Sequence, residues 1–242
     1  MSTLAFALAA TIKHDGHGGI ADLLATPADA AAWLEQQQDQ FVEVLGRPLA
    51  EQARHSAPRA PAAAAGDGPA TSGPGAAGSN EGAVRRGPGA AGSGEGPSGD
   101  ERMHGELVRI RGAVRALFAR AVAPGAPSRA DSHLLMDVGA ALRMINQAAG
   151  RLGAQKLVWE GDGDPGVAWG GGTADPVELV MAGVGRSTIE FLTSADRARL
   201  RACPAARCVK YFLQDDPRQM WCSASCGNRE RVNRHYRKRH SG

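Results

Sequence analysis

The sequence predicts a mainly α-helical protein with a small β-hairpin, an α+β chain whose helical N-terminal domain leads into a compact C-terminal module. Three observations carry this expectation. Apolar residues recur at helical spacing through several long segments. All four cysteines crowd between Cys203 and Cys226. Charge is also divided: from Arg197 to Gly242 twelve Lys or Arg face three acids, a net of +9, while the whole 242-residue chain carries +3, which leaves −6 ahead of Arg197.

The first segment, Leu4 to Ala10, lacks a basic start and is too short to span a bilayer, so a first strand or buried helix is expected and the protein is expected to be cytoplasmic. At Thr26-Pro27-Ala28-Asp29 a good N-cap, a proline suited to the first helical position and an acid three residues on mark a helix start. That helix is expected through Trp33 and Leu34, with Phe41 to Leu45 as its continuation. From about Ser56 to Gly99 the chain is Ala, Gly, Pro and Ser, with too little large apolar surface to offset its ordering entropy. It reads as a flexible insertion.

Beyond the insertion, Leu107, Ile110, Val114, Leu117, Phe118 and Ala121 recur at helical spacing, with Arg109, Arg111, Arg115 and Arg120 on other faces. A solvated face is expected for these arginines, ahead of an anion or nucleic-acid site. Pro124 and Pro127 end the helix, and Ser128 or Asp131 is the expected cap of the next, which carries Leu134, Leu135, Val138, Leu142 and Ile145. Lys156 to Glu160 and Val167 to Trp169 flank a Gly/Asp/Pro turn and read as a β-hairpin. Asp175 and Pro176 open a helix burying Val177, Val180, Met181, Val184, Thr188, Phe191 and Leu192, and Ser194 to Asp196 start a short helix towards Cys203.

Cys203 and Cys208 are spaced C-x4-C; thirteen residues on, Cys222 and Cys226 are spaced C-x3-C. Two thiol pairs on two turns are what a tetrahedral metal site needs, and four thiolates suit Zn2+ with no open position for a reactive water. Two disulfides would need an oxidising compartment, and four ordinary buried thiols would be scattered through a core rather than paired. Val209 to Leu213 and Met220 to Cys222 are the expected hairpin strands. A helix from Cys226 to about His240 follows, with Val232 and Tyr236 packed back on Phe212 and Trp221. Knuckle, hairpin and ligand-bearing helix make a treble-clef-like finger.

The run Cys226-Gly227-Asn228-Arg229 resembles the CGNR zinc-finger family, whose name is this tetrapeptide. The resemblance extends through Phe191 to Leu200 and Trp221 to Ser223. Proteins of that family usually carry an N-terminal ABATE domain, and Asp22 to Leu34 is similar to its first long helix; where that domain often has Asn-Thr, this chain has Ala10-Thr11. The resemblance implies a bacterial, stress-associated transcription regulator. The expected organisation is an ABATE-like helical domain over 1–55 and 100–193, split by the insertion at 56–99, and a CGNR zinc finger over 194–242.

A basic tail on an acidic body is the footprint of a nucleic-acid-binding module. Arg229, Arg231, Arg234, Arg237, Lys238 and Arg239 are the candidate DNA contacts. Gly227 is expected to leave room near the metal, and Asn228 and Arg229 to brace the knuckle by hydrogen bonds. The N-terminal domain is the candidate sensor of a small-molecule effector. No Ser/His/Asp or Cys/His constellation, Walker loop or dinucleotide fingerprint occurs, and the seven histidines are dispersed, so no enzyme is expected. The alternatives are a finger that docks an acidic protein partner without touching DNA, and a small-metabolite enzyme.

Overall fold

Capping chemistry sets where the helices start. In the computed structural model, described over residues 3–15, 19–46, 48–51, 98–131, 135–159 and 161–240, Thr26 accepts from the Asp29 N–H while the Asp29 carboxylate accepts from the Thr26 N–H. This reciprocal box opens α2 (Pro27–Gln36), preceded by the buried α1 (Leu4–Ala9). A break at Gln37 separates α2 from α3 (Gln38–Leu45), and Gly46, with φ of +74°, ends it. Ser98 and Glu101 form a second box at the start of α4 (Gly99–Ala121), so this helix begins within the last residues of the Gly/Ala/Pro/Ser stretch. The insertion expected at 56–99 otherwise lies outside the described residues. Asp137 caps α5 (Val138–Gly150), and Asp175 caps α6 (Pro176–Thr193) through the Val177 and Glu178 N–H groups.

The expected cap of α5 at Ser128 or Asp131 is corrected. Those residues bound a short 3-10 turn (Arg129–Asp131), and their side chains are engaged elsewhere. Leu142, expected inside, is 47% exposed.

The core gathers around α4, which packs against α1, α2, α5 and α6. Phe118 is fully buried, with its ring 5.0 Å from that of Phe6, 5.3 Å from Phe191 and 5.5 Å from Tyr211. Helices α5 and α6 approach closely at Gly185, where a Cβ would lie 2.8 Å from the Ala149 backbone nitrogen. Ser187 is buried on α6 because its hydroxyl accepts from the otherwise orphaned Ala5 N–H at 3.2 Å.

Three two-stranded antiparallel sheets decorate the helices among the described residues. Strands β1 (Ile12–His14) and β2 (Ile20–Asp22) pair, as do β3 (Gly153–Val158) and β4 (Gly166–Gly171), with Leu157 opposite Val167. The latter is the expected hairpin. The last pair joins β5 (Leu200–Ala202) to β6 (Tyr211–Leu213), not to Met220–Cys222. Side chains consume the backbone that would have extended the expected ladder: Gln214 Nε2 donates to the Pro217 and Gln219 carbonyls, and Gln219 Oε1 accepts from the Asp215 N–H. Val209 joins no strand because its carbonyl accepts from Ser128 Oγ at 2.8 Å.

Two arginines of α4 overturn the expectation of a solvated face. Arg111 is 6% exposed and holds Asp22 with both terminal nitrogens, at 2.5 and 2.7 Å, while Nη1 also donates to Thr11 Oγ1 at 3.0 Å. Arg115 is 4% exposed; Nε and Nη2 grip the Asp131 carboxylate at 2.7 and 3.1 Å, and Nη1 donates to the Ala9 carbonyl at 2.6 Å. A helix facing α1 and β2 on one side and the C-terminal hairpin on another has no solvated stripe at these positions, and each buried guanidinium meets a counter-charge, Asp131 buried beside Arg115 and Asp22 at the surface end of Arg111.

Both pairs have measurable consequences. Arg115→Met leaves Asp131 buried without its partner and is expected to cost about 3–5 kcal/mol in urea unfolding, with part recovered in Arg115→Met/Asp131→Leu. Burial pushes the Asp22 carboxyl up, but hydrogen bonds from Arg111 and the Leu24 N–H outweigh it and hold the group below its ordinary value. Its contribution is complete above the usual aspartate range and fades as pH falls through the lowered value. Urea midpoints of wild type and Asp22→Asn, separate at neutral pH, are therefore expected to converge in acid.

Candidate metal centre

The C-terminal module places one thiol pair at the tip of a hairpin and the other at a helix start. Between β5 and β6 the chain turns through Cys203 to Cys208, closed by Cys203 N–H to the Lys210 carbonyl at 3.0 Å and Cys208 N–H to the Ala205 carbonyl at 2.9 Å. Arg207 takes the left-handed conformation, φ +69°, that this tight return requires. Cys222 and Cys226 flank the start of α7 (Ala224–His240), where Ser223 Oγ accepts from the Cys226 N–H at 3.3 Å in N-cap fashion. Cys226 thus sits in the first turn of α7, buried beside the other cysteines.

All four sulfurs lie within 4.8 Å of one another. Cys222 Sγ is 3.6 Å from both Cys208 Sγ and Cys226 Sγ, too long for a disulfide. A tetrahedral ion with metal–sulfur bonds of about 2.3 Å needs sulfurs about 3.8 Å apart, so the donor set fits such an ion. Electrostatics point the same way. Hydrogen bonds from the Cys208 and Cys222 thiols, helped by the Cys222 and Ala205 N–H groups, hold the Cys203 thiol down at about 2 despite its burial. The Cys203 contact pushes Cys208 up to about 11, and the contacts with Cys203 and Cys208 push Cys222 up further. Pressed together, these sulfurs resist carrying several negative charges at once unless a cation sits among them. The cluster is a metal-binding site.

Of the residues expected around it, Gly227 serves Trp221 rather than the metal: a Cβ there would meet Trp221 Cε3 at 3.2 Å, and that ring packs over the buried Cys203, Cys208, Phe212 and Cys226. Arg229 Nη1 reaches the Ala206 carbonyl at 3.5 Å. Asn228 instead accepts from Arg231 Nη2 at 2.7 Å on the outside of α7. The strongest brace is Glu230, whose Oε1 accepts from the Ala206 N–H at 2.6 Å inside the knuckle. Its signal in the sequence was that it stands as the single acid in a basic run.

Beyond its first two turns α7 is exposed apart from the half-buried Asn233. Arg231, Arg234, Arg237, Lys238 and Arg239 are exposed, while Arg229 is half-buried. Val232 and Tyr236, expected to pack on the hairpin, are 67% and 62% exposed. Tyr236 stacks on His240 at 3.9 Å, and Phe212 belongs to the cysteine cluster. The reason is reach: β6 faces the body, so the hairpin offers its free side only to the first turns of α7.

The hairpin is also part of the body. Leu200 and Tyr211 are buried in the main core, and the Tyr211 hydroxyl donates to Asp131 Oδ2 at 2.6 Å. A helical body with a four-cysteine finger and an exposed basic helix defines a metal-binding protein. The chain belongs to the ABATE family: the model described as "Putative stress-induced transcription regulator" matches residues 2–195, and that of the CGNR zinc finger matches 199–239. The comparison with curated proteins finds no match. No helix among the described residues is long and apolar enough to cross a membrane.

One metal equivalent per chain is expected by native mass spectrometry, absent in Cys222→Ser. Glu230→Ala, which frees the knuckle backbone without removing a ligand, is expected to weaken metal affinity about 10- to 100-fold in chelator competition.

Proposed function

We propose that the protein is a zinc-dependent, DNA-binding transcription regulator, with the finger meeting DNA and the helical body sensing an effector. Zinc is the occupant that four thiolates with this spacing suit. A site filled by four protein sulfurs acts as a structural staple with no position for an activated water, so the role proposed is regulation and not catalysis. Thiols kept free for the ion suit a reducing, cytoplasmic setting.

The observation that carries the DNA reading is the exposed, basic C-terminal half of α7. From Arg231 to His240 the helix, about 15 Å long, is exposed at every residue but the half-buried Asn233. It carries Arg231, Arg234, Arg237, Lys238 and Arg239 against one acid, Glu230, which accepts from the knuckle through Oε1 and lies 4.0 Å from Arg237 through Oε2. A largely exposed, strongly basic helix suits a partner of opposite charge, and a phosphate-lined groove supplies it. Most of these cations would hold the backbone and set register without reading sequence. Arg231 is the candidate base contact, pre-oriented by its bond to Asn228.

Neutralising Arg234, Arg237 and Lys238 together is expected to weaken binding to all DNA sequences alike. It should flatten the slope of log affinity against log salt by roughly 0.9 per lost phosphate contact. Arg231→Ala is expected to blur a sequence preference instead, with metal content unchanged in every variant. If the triple variant binds DNA as tightly as wild type at low salt, the helix serves an acidic protein partner.

A further inference from the structure

Helices α4, α5 and α6 enclose a cleft of about 380 Å³ on the face of the body that their packing leaves open. Arg143, Met144 and Gln147 of helix α5 and its C-cap Arg151 face it at i, i+1, i+4 and i+8, so one side of the helix and its end supply both charge and apolar surface. Helix α4 adds Arg102, Glu106 and Arg109, and α6 adds Glu178.

We propose that this cleft binds a small organic anion, a carboxylate or phosphate head on a short apolar body. Four arginines stand against two glutamates in the lining and Asp175 on Arg102, a net +1, within a region ahead of Arg197 whose total is −6. A positive cleft in an acidic body focuses field on anions. Three of the arginines are held in place: Arg102 by Asp175 at 2.6 Å, Arg109 by Glu106 at 2.7 Å, and Arg151 by Glu178. Each such pair uses part of a five-donor guanidinium fork and leaves N–H groups for a ligand. Arg143, exposed on α5, has no ion-pair or hydrogen-bond partner among the described residues, and it is the group left to take the head.

Below the rim the surface changes character. Ile110, Val177 and Met181 are buried and form the floor, with Met144 half-buried beside them. Methionines at such a floor adapt to irregular apolar shapes. The volume lies at the lower end of the range for small-molecule sites, which suits a ligand of modest size. This site deepens the sensory role proposed for the body, but binding is measured without DNA, so failure here and failure of the DNA reading are separate results.

Isothermal titration of the full-length protein with octanoate, octyl phosphate, octylammonium and inorganic phosphate distinguishes head, tail and sign. One equivalent of octanoate or octyl phosphate is expected to bind, and which of the two binds more tightly assigns the head. Octylammonium should not bind, and inorganic phosphate should bind at least about tenfold more weakly than octyl phosphate for want of the tail. Arg143→Ala is expected to weaken the anion about tenfold, and Gln147→Glu, which adds a repelling charge at the rim, to weaken it similarly. Both positions are exposed, so melting temperatures should be unchanged. Octylammonium binding as tightly as the anions, absence of binding by either anion, or wild-type affinity in both variants would overturn the proposal.

Discussion

Arg115 carries a permanent charge at 4% exposure, and the fold is arranged so that this charge never lacks a partner. Its guanidinium meets the Asp131 carboxylate, the Ala9 carbonyl at the end of α1, Ser128 Oγ and the Val209 carbonyl of the finger. Asp131 in turn accepts from the Tyr211 hydroxyl, whose phenol is pushed well above its usual range by burial first and then by that carboxylate. Four segments distant in sequence therefore converge on one ion pair. An unpaired charge at this depth would be costly, so each segment is held where it satisfies the others.

That convergence sets how the finger is used. Its metal cluster is a local staple, but its hairpin is seated in the body by Leu200, Tyr211 and Val209, not tethered by a linker. With one face of the hairpin committed to the body and Trp221 against the cysteines, the buried residues of α7 are confined to its first turn. The rest of the helix projects. The packing that anchors the finger thus also frees the basic helix for a partner.

Charge is segregated in the same manner. On the finger, cations outnumber acids and the one acid of α7 is spent on the knuckle. On the body, the acidic total hides a positive cleft between α4, α5 and α6. The two proposed sites, one for nucleic acid and one for a small anion, would each have its own salt response.

Local chemistry was legible in the sequence wherever it acts over a few residues. The Thr26/Asp29 box, the Asp175 cap, the periodic helices, the hairpin around residues 161–166, and the two thiol pairs that meet in space depend on spacings a short window contains. Tertiary structure decided the rest. Nothing near Arg111 or Arg115 distinguishes them from surface arginines, because Asp22 lies 89 residues away from the one and Ala9 lies 106 from the other. The partner of Tyr211 to Leu213 became Leu200 to Ala202 once Gln214 and Gln219 had taken the competing backbone groups. Spacing determines which atoms can meet within a turn or two. Only the folded core determines which buried charge, carbonyl or ring must be satisfied by a distant one.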